Sequence, residues 1–127
     1  MQFEALRTID SRDTPPLAPD DRPIDLVHLA RMTLGDRSLE REVLQLFDRQ
    51  SSLLIARMHT AAPAAIAALA HTLKGSARGI GAWRVARAAE LVELAGVSGH
   101  PTADAIAGLA AASDEARTVI ADLLRAN

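Results

Sequence analysis

Apolar residues recur three and four apart in four successive segments of this chain, and glycine or proline punctuates the gaps. Leu39, Val43, Leu46, Phe47, Leu54 and Met58 make one stripe. Ile66, Leu69, Leu73, Ala77 and Ile80 make the second, Val85, Ala88, Ala89 and Val92 the third, and Ile106, Leu109, Ala116, Ile120 and Leu123 the fourth. That period belongs to the helix and not to the strand. Alanine dominates the composition, with Leu and Arg behind it, while β-branched and aromatic residues are few and Tyr is absent. The propensities therefore agree with the pattern, and the expected class is all-α. A chain of 127 residues is long enough to bury one core and short enough to be one domain. Short breaks make consecutive helices antiparallel. The expected architecture is an antiparallel up-down four-helix bundle with a short additional helix at its N-terminal end.

The boundaries follow from caps and breakers. Asp25 is an N-cap for the short helix, which carries Leu26, Leu29 and Met32 on one face and ends at Gly35-Asp36. Ser38 is expected to cap the next helix, which runs to about Thr60. Arg41 stands where a capping box wants Glu or Gln, so the box is incomplete. Pro63 suits the first turn of the following helix. Gly79 and Gly81 read as turn residues, a further helix begins near Ala82, and residues 96–101 read as a break before Thr102 caps the last helix. Upstream, Phe3, Leu6 and Ile9 keep helical spacing, but Pro15, Pro16, Pro19 and Pro23 exclude a helix after them. The expected division is an extended or disordered arm over 1–23 and a bundle over 24–127.

Several chemistries are excluded or disfavoured. Without cysteine there is no disulfide or thiolate, and a reducing, cytoplasmic setting fits. A net charge of −2, two Phe and one Trp offer neither a pull toward nucleic acid nor a stacking platform for bases. No apolar run is long enough to cross a membrane, and the first twelve residues lack the apolar core of a signal peptide. His28, His59 and His100 lack ligand spacing, so no metal is expected, and they read as structural or solvated. Trp83 and Phe47 read as packing residues. Lys74-Gly75-Ser76 has the wrong order for a phosphate-binding loop, and no strand precedes it.

One helix face stands apart. At about 100° per residue, the stripe from Ile66 to Ile80 clusters within roughly 60°, and His71 falls at about 140°, away from the core. Arg78 lies about 20° and Lys74 about 60° from it on the same wheel. Gly75 is one turn on, and Ala64, Ala67 and Ala68 fill the two turns before. The imidazole is thus set outward between two cations, among residues with almost no side chain. Gly75 in mid-helix costs about 1 kcal/mol relative to Ala, which fits a surface that something must approach closely. Neutral imidazole is a nucleophile near pH 7, and its Nε2 can accept a phosphoryl group whose oxygens Lys74 and Arg78 could hold. Nδ1 then needs an acceptor to fix the tautomer. Glu90 and Glu93, both flanking the stripe of the next helix, are the candidates, and periodicity does not choose between them.

The run Ala70-His71-Thr72-Leu73-Lys74-Gly75-Ser76-Ala77, with Ile80-Gly81-Ala82 behind it, closely resembles the histidine phosphotransfer (HPt) domains of bacterial multistep phosphorelays. The resemblance extends over roughly residues 24–125. It implies a four-helix bundle with His71 as phosphoacceptor, Lys74 helping to hold the phosphoryl group and Gly75 leaving room for the partner. It also implies that Glu93, twenty-two residues after the histidine, bonds Nδ1. The role of Arg78 rests on the wheel alone. The chain departs from the family at Ala61-Ala62-Pro63, where a polar turn is usual, and the segment 1–23 is outside the family pattern.

The expected function is a phosphorelay intermediate. His71 accepts a phosphoryl group from a receiver-domain aspartate and passes it to another response regulator. The receiver docks over Ala64, Ala67, Ala68 and Gly75, and an upstream hybrid histidine kinase supplies the pathway. The chain itself needs no cofactor, since Mg²⁺ belongs to the receiver, and it lacks a nucleotide-binding signature, so no autokinase activity is expected. It is expected to be monomeric. The alternative is a helical adaptor that binds a signalling partner through the same face without phosphorylation.

Overall fold

The computed structural model describes residues 22–126. The expected arm over 1–23 lies outside the described residues apart from its last two positions. Five helices follow: α1 Leu26–Met32, α2 Arg37–Met58, α3 Pro63–Ile80, α4 Trp83–Ser98 and α5 Ala103–Ala126. No strand occurs among the described residues. The connections at 59–62, 81–82 and 99–102 are short, so successive long helices run antiparallel. α2 packs on α3 and α5, α4 packs on the same two, and α1 lies against α3. This is the expected up-down bundle with a short extra helix.

The caps explain the boundaries, with three corrections. Asp25 caps α1 through His28 N at 3.1 Å. Asp36, not Ser38, caps α2, accepting from Leu39 N at 3.0 Å. Its carboxylate is as good a cap as a serine hydroxyl and stands two residues earlier, after Leu34 and Gly35 have turned the chain with positive φ. Gly79 stays helical, and only Gly81, at φ 81°, leaves α3. α4 likewise continues through Gly96 to Ser98 and ends on Gly99 at φ 74°. Gly96 is a packing residue. A Cβ there would stand 2.9 Å from the Pro63 carbonyl and 3.1 Å from Ala67 Cβ, so the glycine lets α4 lie close on α3.

The core is built from Leu44, Phe47, Leu54 and Met58 on α2, Ile66, Ala70, Leu73 and Ala77 on α3, Val85, Ala89 and Val92 on α4, and Ile106, Leu109, Ala116 and Ile120 on α5. Leu39, Leu46, Leu26 and Met32, expected inside, are exposed. Leu44, Leu46 and Phe47 are neighbours in sequence, and α2 can turn only one of the two overlapping stripes inward. α3 and α5 take the one that includes Ser51 and Ile55. α5 is also stapled to α2 by charge: Arg117 Nε donates to Asp48 Oδ1 at 2.6 Å, and Arg41 Nη1 donates to the Leu124 carbonyl at 2.8 Å.

α1 fixes the α3–α4 turn. Asp25 N donates to the Gly81 carbonyl at 2.9 Å, and Trp83 Nε1 donates to Asp25 Oδ2 at 2.9 Å. His28 meets Trp83 edge-on with ring centroids 4.9 Å apart. These bonds hold the Asp25 carboxyl below its usual range, with the Trp83 bond the largest cause. Trp83 and His28 are therefore structural, as the sequence suggested.

Candidate functional site

The site lies across α3 and α4, the pair of helices with the most extensive contact in the bundle. Leu73 and Ala77 are fully buried on the inner face of α3, which turns His71 outward with its side chain 67% exposed. Glu93 sits on the edge of α4, next to the buried Val92, and its side chain is 22% exposed. Its two oxygens divide their work. Oε2 lies 2.9 Å from His71 Nδ1. Oε1 lies 2.7 Å from Lys74 Nζ, and the Lys74 side chain is only 14% exposed along the α3–α4 seam. The Lys74 contact is an ion pair, not a well-aligned hydrogen bond, and at that distance the charge attraction holds either way.

This arrangement sets the protonation of the imidazole. An ionised carboxylate only accepts, so Nδ1 carries the ring proton and Nε2 keeps its lone pair. Contact with Lys74 is the largest influence on Glu93 and lowers its pKa from 4.5. Partial desolvation opposes it, and the bond from His71 lowers it further. The carboxylate is thus held in its ionised, accepting form near neutral pH.

A pH consequence follows. Because Glu93 binds its proton less well folded than unfolded, it contributes stability that is present above about pH 4.5 and lost as pH falls through the lower folded value. Glu93→Gln is expected to flatten that acid limb. The melting temperature of the variant should fall less between pH 6 and pH 3 than that of the parent chain, measured by circular dichroism. An unchanged acid limb would show that Glu93 carries none of it.

The remaining residues divide. Arg78 Nη2 stands 3.6 Å from Glu90 Oε1, so the two carboxylates of α4 serve different cations. Glu93 takes His71 and Lys74, and Glu90 takes Arg78. A Cβ on Gly75 would meet nothing within 4 Å, which leaves the surface open one turn from His71. Ala64 and Ala68 are exposed. Ala67 is not: it is 8% exposed, packed beneath Gly96, and presents nothing to a partner. The sequence reading missed the Lys74–Glu93 pair. Its only signal there was the presence of both cations on the flank of the α3 stripe that faces α4. No cluster able to hold a metal occurs among the described residues, and no described helix is long and apolar enough to cross a membrane.

The family model of the Hpt domain matches residues 40–126, which spans α2 from its first turn through α5. The chain belongs to the Hpt domain family. Hpt domains serve histidine phosphotransfer in phosphorelays, as phosphocarriers that interact with response regulators and kinases. No curated protein and no solved structure matches this Hpt domain significantly. The bundle described above is the helical architecture of the family, and the matched range contains His71, Lys74, Arg78 and Glu93.

Proposed function

We propose that His71 is the phosphoacceptor of this Hpt domain. The carrying observation is the 2.9 Å contact of Nδ1 with Glu93, which leaves the exposed Nε2 as the nucleophilic nitrogen. The Nε2 lone pair attacks the phosphorus of a receiver's aspartyl phosphate. The N–P bond forms as the P–O bond to the aspartate breaks, and the aspartate leaves as carboxylate. The ring then carries positive charge while Nδ1 keeps its proton, and the Glu93 carboxylate beside it offsets that charge. Lys74, already at the seam, neutralises phosphoryl oxygens, and Arg78 stands on the flank of the same face. A second receiver reverses the step. Mg²⁺ and the groups that activate the aspartyl phosphate belong to the receiver. The unit is the bundle over 24–127, acting as a monomer in the cytoplasm and without autokinase activity.

The test is incubation with a ³²P-labelled receiver domain and, separately, with labelled ATP alone. Label should pass from the receiver only, and should be acid-labile and alkali-stable as a phosphoramidate is. Label from ATP alone would end the carrier reading. Absence of label with retained receiver binding would favour the adaptor.

The docking face is proposed to run over Ala64, Ala68 and Gly75. Gly75→Leu is expected to cut transfer at least tenfold by standing in the receiver's way. It should leave the helix as stable or more so, since Gly costs about 1 kcal/mol relative to good helix formers. Initial transfer rates and a thermal melt on the same sample check both halves. A drop in melting temperature would make the effect one of folding and not of docking.

A further inference from the structure

An apolar groove of about 180 Å³ runs between α2 and α3, lined by Val43, Leu46, Phe47, Gln50, Ser76 and Ile80. An apolar space of about 150 Å³ holds a benzene ring, so this one has room for a phenyl group. Leu46 on its rim is 57% exposed, and Leu39 and Leu53, seven residues to either side, are exposed as well. α2 therefore carries an apolar edge beside the groove that the four-helix packing does not use.

The chain reaches the bundle at the end of this groove. Asp25 N bonds the Gly81 carbonyl, and Ile80, next to Gly81, is a lining residue. Residues 1–21 are thus tethered beside it. Within them Phe3, Leu6 and Ile9 recur three apart, each followed by a charged residue, Glu4, Arg7 and Asp10. That is the pattern of an apolar helix face laid into a groove. Residues 10–23, with four prolines, can reach on the order of 40 Å at about 3.1 Å per residue, more than the roughly 27 Å length of α3. Tethering makes the encounter intramolecular, with an effective concentration in the millimolar range, so a weak contact suffices.

We propose that residues 1–12 of this chain seat in the α2–α3 groove, with the Phe3 ring in the pocket and Leu6 and Ile9 against the Leu46 edge. Ser76 borders the groove and follows Gly75 directly, so the seated segment flanks the face that carries His71. Any competition with a receiver rests on the phosphoacceptor reading above. The seating itself does not.

The chain has no cysteine, so a nitroxide on Gln2→Cys labels the N-terminal segment uniquely in the full-length protein. Methyl spectra should show the Val43, Leu46 and Ile80 signals broadened severalfold more than those of Ile106 and Leu109. Phe3→Asp in the labelled chain should remove the difference. Three outcomes overturn the proposal. The broadening could be even over the bundle, or it could survive Phe3→Asp. It could also arise between labelled and isotope-enriched molecules in a mixture, which would make the occupant a second copy.

Discussion

Full-length His71→Gln should take up no phosphoryl group from a labelled receiver, with the signal at background, while its melting temperature stays close to that of the parent. The two halves of this expectation have separate causes. Glutamine has no ring nitrogen to form a phosphoramidate, so the chemistry is removed outright. The side chain it replaces is two-thirds exposed and makes one hydrogen bond, to Glu93. Glu93 keeps its 2.7 Å contact with Lys74, so no charge is stranded. Surface substitutions of this kind change stability by about 0.5 kcal/mol or less. His59 and His100 are exposed too, but no described carboxylate holds either ring. Label retained in His71→Gln would move the acceptor elsewhere and end the assignment.

The second large effect is a change of sign between two glycines. Gly75→Ala and Gly96→Ala add the same methyl group to mid-helix positions of neighbouring helices. At Gly75 the new Cβ meets nothing within 4 Å, so only helix propensity acts, and a gain of about 1 kcal/mol is expected. At Gly96 the Cβ would stand 2.9 Å from a backbone oxygen of Pro63 and 3.1 Å from Ala67. Backbone cannot step aside as a side-chain tip can, so α3 and α4 must separate. Overpacking of this kind costs about 1 to 3 kcal/mol, which outweighs the propensity gain. For a domain of this size about 1 kcal/mol shifts the midpoint by roughly 4 to 5 °C. Thermal melts should therefore show Gly75→Ala above the parent and Gly96→Ala below it. Because the α3–α4 spacing also sets the reach from Glu93 to His71, Gly96→Ala should slow phosphotransfer as well. A Gly96→Ala variant as stable as the parent would mean that the close approach is not a constraint.

α3 was the most legible helix. Its large apolar residues form one stripe, and the opposite face offers only His71, Thr72, the cations Lys74 and Arg78, and residues with little or no side chain, so a single rotation buries Leu73 and exposes the imidazole. α2 was the least legible. Leu39, Leu44, Leu46, Phe47, Leu53 and Leu54 support more than one stripe, and the expected one held Phe47, Leu54 and Met58 correctly but took Leu39 and Leu46 where the core takes Leu44 and Ile55. Glycine misled twice, at Gly79 and Gly96. Both are tolerated inside helices, one because its missing side chain faces open space and the other because a neighbour fills it.

The sequence by itself determined the class, the number of helices, the outward histidine and the residue types around it. Each of these is a property of one helix or one short motif, and periodicity and propensity act at that range. The choice between Glu90 and Glu93 was different. The two lie about 60° apart on one helix, and either could flank the stripe. Which of them meets His71 depends on the rotation and axial register of α4 against α3, quantities that involve two helices at once. Packing decided them: Gly96 closes on Pro63 and Ala67, Leu73 and Val92 fill the core between, and Glu93 is brought to His71 while Glu90 is left to Arg78. The same packing decided that Lys74 lies on the seam with its charge already paired, which no wheel drawn for α3 alone could show.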